Sequence, residues 1–123
     1  LGRIIKNIHD EDFFILEHTP SELRPLYVKQ GKDETANSFD FYLRGVRIGS
    51  GSDRETDVNV LKQRFSKAGC EADMGVYLEG FKYGVYPHAG AGVELEKLVM
   101  AYLELDDVRE ASMFPRDSRR LTP

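Results

Sequence analysis

A chain of 123 residues, 41% hydrophobic and 31% charged, is too apolar for a disordered segment and suits one ordinary soluble domain with a modest core. Its net charge of −4 and pI of about 5.4 exclude an overall basic field, so nucleic-acid contact would need a local patch, and Arg116, Arg119 and Arg120 form the one available. No run of about 18 apolar residues could span a bilayer as a helix and no charged-then-apolar leader is present, which points to the cytoplasm.

Leu1, Ile4, Ile5 and Ile8 form the face of a short amphipathic helix over 1–8. That stripe is complete from the first residue, and the first residue is not methionine. Both features predict a helix that begins upstream and a chain that is a piece of a larger protein. DFFILEH (12–18), aromatic and β-branched, predicts a buried strand. Pro20 and Pro25 bracket SELR, and the polar QGKDETANS (30–38) predicts an exposed loop.

FDFYLRGVRIGSG (39–51) alternates, with Phe39, Phe41 and Leu43 on one face and Asp40, Tyr42 and Arg44 on the other. The pattern predicts a strand with an apolar back and a polar front lining solvent or a site. GVRIGSG either continues the strand or pairs beside it, with Gly45, Gly49 and Gly51 marking a bulge or a close backbone approach. Val58, Leu61, Phe65 and Ala68 predict a helix within 55–68 that stops at Gly69. Met74, Leu78 and Phe81 predict another across 73–83. The single Cys70 has no thiol partner and reads as structural, and His9, His18 and His88 lack metal-ligand spacing.

PHAGAGVELEKLVM (87–100) sets a glycine-rich stretch before a helical stripe of Leu95, Leu98, Val99, Tyr102 and Leu103, with Lys97 roughly opposite the stripe and Glu94 one turn ahead of it. Such a loop before a helix N-terminus serves as a phosphate cradle or, more commonly, as a tight turn into a core helix. FPRDSRRLTP is a proline-bounded basic tail. On residue type alone, Arg54 and Asp40 are ordinary solvated or paired charges, and Glu94 with Lys97 is a solvated helix face.

Motif by motif, however, the chain resembles one family along its whole length. PHAGAGVELEKLVM, followed by YLELDDVREASMFPRDSRRLTP, resembles motif 3 and the carboxyl terminus of class II aspartyl-tRNA synthetases of the archaeal and eukaryotic cytosolic type. RPLY (24–27), SFDFYLRGVRIGSGSDR (38–54) and FKYGVYPHAG (81–90) are similar to successive segments of that catalytic domain in the same order. The resemblance implies an α+β fold, an antiparallel sheet flanked by helices, with residues 1–123 forming a single incomplete domain at the C-terminal end of the catalytic domain. It implies a two-step reaction in which aspartate and ATP give aspartyl-adenylate and the aspartyl group then moves to the terminal adenosine of tRNA(Asp), with Mg²⁺ and arginines offsetting phosphate charge. It also implies a homodimeric parent whose motifs 1 and 2 lie outside this chain.

By the same resemblance, Arg54 matches the arginine that holds the aspartate side-chain carboxylate, a role suited to a guanidinium fork. Ser50 and Gly51 match the family's Ser-Gly pair at the ATP site, and Gly90 and Gly92 match the entry to motif 3, where a side chain would obstruct the nucleotide. Asp40 stands at the metal position. Three departures fall on the ATP chemistry. Arg47, in VRIGSG, replaces the expected glutamate ligand, and beside Asp40 it favours an ion pair in the metal's place. Lys97 replaces the arginine that grips phosphate, keeping the charge but not the fork. Glu94 replaces a glycine and can pair with Lys97 at i, i+3. Two readings therefore stand: part of an aspartate–tRNA ligase, or a non-catalytic paralogue with a degraded ATP site that acts as a binding or regulatory protein. Aspartate and asparagine are also both open, since FPRDSRRLTP favours the aspartyl branch while SDRETD departs from the SGAQR pattern.

Overall fold

The computed structural model describes residues 1–70, 74–119 and 121. Its helices are α1 (Gly2–His9), α2 (Val58–Lys67), α3 (Gly75–Gly80) and α4 (Leu95–Leu103), and its strands are β1 (Phe13–Glu17), β2 (Ser38–Leu43), β3 (Val46–Asp53) and β4 (Ala89–Val93). The strands form one antiparallel sheet in the order β1-β2-β3-β4, so the α+β expectation holds. The chain divides into two compact units: Leu1–Leu16 with Asp40–Ser50 and Gly92–Pro123, and Glu17–Phe39 with Gly51–Ala91.

In the first unit the chain reverses at Arg44 and Gly45, whose φ angles of 48° and 79° meet the type I′ requirement for a two-residue hairpin. GVRIGSG therefore pairs beside β2. Arg44 then serves as a tie. Its guanidinium donates to the Tyr102 carbonyl at 2.7 Å and pairs with Glu104 at 2.9 Å, meeting the orphan carbonyls and negative end of α4. It also reaches Asp12, 3.4 Å away, which Lys6 holds at 2.7 Å.

The apolar stripe of α1 is not where the helix docks. Leu1, Ile4 and Ile8 are exposed and Ile5 half-buried, whereas Gly2 is buried. A Cβ at Gly2 would run into the Gly45 carbonyl and the Tyr42 ring, so only glycine lets the helix backbone sit this close to the turn. β1 forms where expected but is not buried, because it is an outer strand of the sheet: Phe13 and Ile15 are about half exposed. Cross-strand aromatic pairs hold it to β2, Phe13 with Phe41 at 6.2 Å and Phe14 stacked on Tyr42 at 4.7 Å.

The polar front of β2 is likewise corrected. Asp40 is only 6% exposed while Phe39 and Phe41 are half-buried, so the acidic residue faces inward. The stretch AGAGV is not a loop but strand β4, paired with β3. Glycine is required at this pairing, since a Cβ on Gly49 would lie 2.6 Å from the Gly92 carbonyl oxygen. In α4 the most buried residue is Ala101, and Leu95, Tyr102 and Leu103 of the predicted stripe are exposed.

The second unit holds the most completely buried side chains, Leu61 and Phe65 of α2, at 0% and 1% exposure. Asp57 caps that helix by accepting from the Asn59 and Val60 N–H groups, and Gly69, at φ 70°, ends it as expected. Ala68, expected on the apolar face, is exposed. Tyr77 of α3 meets the Phe65 ring edge-on at 6.2 Å. Met74, Leu78 and Phe81 are the least exposed residues along α3 and the 3-10 turn Phe81–Tyr83, while Asp73 of the predicted helix lies outside the described residues. The 30–38 stretch is a tight reversal and not a plain exposed loop: Gln30 bridges Ala36, which is 1% exposed and donates to the Thr19 carbonyl. Arg64 binds this unit together by donating to the Val28 carbonyl at 2.6 Å and the Leu26 carbonyl at 3.1 Å while pairing with Glu55 at 3.3 Å.

Two stability outcomes follow for the intact gene product. Leu61→Ala removes a side chain with no exposure and should cost about 2–5 kcal/mol in urea unfolding, because a packed core collapses only partly around the cavity. The hydrogen bond from Lys6, burial acting against it, and Arg44 leave the Asp12 carboxyl below the ordinary carboxylate range. A depressed carboxyl contributes stability that is full above its unfolded pKa and is lost as pH falls through the folded one. Asp12→Asn should therefore lower the urea midpoint near neutrality and narrow its difference from wild type as pH falls below the ordinary carboxylate range.

Candidate functional site

Arg54 follows the end of β3, and its position is set from two sides. Its backbone N–H donates to the His88 carbonyl at 2.9 Å, and Val28 bridges it across the opposite edge. The guanidinium lies 4.5 Å from the centroid of the Tyr27 ring. Stacking of this kind uses the flat face of the cation and leaves its in-plane N–H donors for a second partner. Among the described residues no carboxylate pairs with it. Gly90 brings backbone close to the same group, since a Cβ there would sit 3.3 Å from Nη2. A cavity of about 250 Å³ opens beside them, lined by Lys29, Asp53, Arg54, Pro87, His88 and Ala89. Burial pushes the Tyr77 phenol above its ordinary value, against the opposing charge of Arg54. Gly51 is buried against the Phe39 ring, which a Cβ would enter.

A planar cation preset on an aromatic ring, with a lysine on the same cavity wall, is suited to a carboxylate. Sequence reasoning singled out Arg54 but not Tyr27 or His88, which the structure sets beside it. RPLY was visible as a segment, but no spacing rule links a tyrosine to an arginine 27 positions later; their meeting depends on the Val28–Arg54 bridge.

In the first unit, Arg47 Nε lies 2.9 Å from Asp40 Oδ1, so the expected ion pair is present. Its two ends differ: the Asp40 side chain is 8% exposed and the Arg47 side chain 43%. Ser50 is half-buried on β3. Gly92 is exposed on β4, and a Cβ there would meet open space. Glu94 precedes α4, its N–H donating to the Ile48 carbonyl at 2.8 Å. Its carboxylate makes no cap hydrogen bond to the helix and turns instead to Lys97, 2.6 Å away.

A divalent hard cation takes several oxygen ligands. Asp40 offers one carboxylate already held by a guanidinium, and among the described residues no group of three or more His, Cys, Asp or Glu side chains could hold a metal ion. The donor set at Asp40 does not fit one.

The family described as tRNA synthetases class II (D, K and N) matches residues 2–118. The chain belongs to this family. It is similar to the cytoplasmic aspartate–tRNA ligase of Rattus norvegicus, 40% identical over 126 aligned residues that cover 100% of this chain and 25% of that protein. The aspartyl-tRNA synthetase structure from Entamoeba histolytica superposes with a TM-score of 0.88 at 38% identity, covering 99% of this chain and 26% of that one. The asparaginyl-tRNA synthetase from Pyrococcus horikoshii, solved with asparaginyl-adenylate, gives the same TM-score of 0.88 at 31% identity, covering 99% of this chain and 29% of that one. The chain thus spans about a quarter of the length of the relatives it matches. No helix among the described residues is long and apolar enough to cross a membrane.

Within this synthetase family member, the two ion pairs differ in cost. Arg47→Met takes a charged partner from the buried Asp40 carboxylate and should lower stability by about 1–3 kcal/mol. Glu94→Gln breaks a half-exposed helix pair and should change it by less than about 0.5 kcal/mol. Urea unfolding of the two variants of the intact gene product checks the contrast.

Proposed function

We propose that the gene product carrying these residues is an aspartate–tRNA ligase, and that residues 1–123 are one incomplete part of its catalytic domain. The observation that carries this is Arg54: a guanidinium seated on Tyr27, beside Gly90, with no carboxylate partner among the described residues. In the proposed site Arg54 receives the side-chain carboxylate of aspartate through two parallel N–H donors, a geometry that the neutral amide of asparagine does not reward in the same way. Higher identity to the aspartyl than to the asparaginyl structures supports the same choice.

The reaction joins an α-carboxylate oxygen of aspartate to the α-phosphorus of ATP and releases pyrophosphate. A ribose hydroxyl of the terminal adenosine of tRNA(Asp) then attacks the activated carbonyl and releases AMP. By the family pattern Ser50, Gly51, Gly90, Gly92 and Lys97 are this chain's ATP-binding residues, with Gly92, where a Cβ would meet open space, leaving backbone clear for the nucleotide and Lys97 supplying a cation. The ligase works in the cytoplasm as a homodimer, with Mg²⁺ accompanying ATP, although Asp40 as it stands does not provide a metal ligand set and no step is assigned to it.

The two ion pairs of the first unit favour a second reading, a synthetase-like paralogue that binds aspartate but does not activate it, since Glu94 competes with phosphate for Lys97. Aspartate-dependent ATP–pyrophosphate exchange separates the two. The intact gene product should catalyse it, and Arg54→Lys should raise the aspartate KM by about tenfold or more, because a point charge replaces a fork. Aspartate binding without exchange would leave the paralogue. Residues 1–123 alone should show no exchange, since they correspond to only about a quarter of the ligases they match.

A further inference from the structure

Arg47 stands apart from the other cations of its unit. Lys6 is engaged by Asp12, Arg44 by Asp12, Glu104 and the end of α4, and Lys97 by Glu94. Each of those acidic partners is itself substantially exposed. Among the described residues of the unit, Arg47 alone is anchored on a buried carboxylate, at 8% exposure, while its own side chain remains 43% exposed. A guanidinium has more N–H donors than one carboxylate can take, so a fork gripped through Nε at its inner edge still presents donors outward.

The charges balance as they would around a metal. A dication between two carboxylates sums to zero, and so does Arg47 with Asp40. We infer that Arg47 takes the place of a divalent cation beside Asp40, so that nucleotide phosphate is received there by a guanidinium and no metal ion binds at that position. The identity of the anion as ATP rests on the ligase reading; the replacement of the metal rests on the Asp40–Arg47 geometry. Asp40 then acts as a positioning residue, fixing the orientation of the fork, and does not touch the phosphate.

The test is calorimetric titration of ATP into the intact gene product, once with Mg²⁺ and once with EDTA. Affinities that agree within about fivefold are expected, since a fixed guanidinium needs no ion to bridge it to phosphate. A larger loss in EDTA overturns the inference, with no variant required. Arg47→Met should weaken ATP by about tenfold or more in EDTA, the usual scale for a lost charge-assisted contact. Arg47→Glu should make ATP binding depend on Mg²⁺, and Asp40→Asn in that background should abolish the dependence. Unchanged ATP affinity in a folded Arg47→Met also overturns it.

Pyrophosphate exchange, measured in Mg²⁺, keeps the two ideas apart. EDTA-insensitive ATP binding without exchange sustains the role of Arg47 and removes the ligase reading. Exchange accompanied by EDTA-sensitive ATP binding does the reverse. Absence of ATP binding in both buffers overturns both.

Discussion

Two successive residues with left-handed φ, Arg44 and Gly45, turn β2 back on itself, and much of the first unit depends on that turn. The type I′ geometry matches the right-handed twist of the strands, so the hairpin closes without splaying. Its register then brings Arg47 back alongside Asp40. The same turn presents a glycine carbonyl close enough to α1 that only Gly2 can lie there. Arg44, held out from the turn, joins the Asp12 loop to the last carbonyls of α4. A tight backbone constraint thus fixes both the site pair and the helix that follows β4. Gly45 is the residue that tolerates it at least strain; Arg44, a non-glycine at φ 48°, is kept in place by contacts at the far end of its side chain.

The second unit is built differently, around an apolar plug and a half-buried cation. Leu61 and Phe65 exclude water, and Arg64 on the same helix donates to the Leu26 and Val28 carbonyls and pairs with the buried Glu55 carboxylate. Removal of such a hub costs more than the pair itself is worth, because the acceptors remain. This packing leaves the Val28–Arg54 bridge and the Tyr27 ring as fixed points on which the Arg54 guanidinium rests. The seat of the Arg54 guanidinium is thus set by backbone pairing and an aromatic ring of the same unit.

Those elements whose local chemistry and packing agree were legible from residues alone. Asp57, Leu61, Phe65 and Gly69 carry a cap, a core face and a stop in one short run, and α2 forms where that pattern says. The glycines of β3 were readable as points of close approach, but what approaches Gly49 is β4, which the glycine-rich AGAGV disguised as a loop. Periodicity also located the apolar stripes of α1 and α4 without telling whether anything covers them. Within 123 residues those stripes stay largely exposed, because Gly2 and Ala101, small residues without a hydrophobic signal, make the close contacts. The ion pairs Asp40–Arg47 and Glu94–Lys97 were visible as residues out of place in a family pattern, whereas the Tyr27–Arg54 stack arises only from tertiary pairing.

Exchange of a metal for a guanidinium preserves net charge but not charge density, and binding and catalysis respond differently to that change. Ground-state binding of a phosphate depends on the number and direction of N–H donors, which Arg47 supplies from a fixed base on Asp40. Stabilisation of the charge that develops on phosphoryl oxygens during transfer depends on a concentrated field, which a dication supplies and a delocalised monocation spreads. Only interactions that strengthen on the way to the transition state accelerate chemistry. A site altered in this way therefore separates nucleotide affinity from adenylation rate. Lys97, already 2.6 Å from Glu94, moves in the same direction, since a phosphate must draw it from a carboxylate before gaining its charge. On the proposed reading the amino-acid side shares none of these changes, because Arg54 keeps its fork and its aromatic seat.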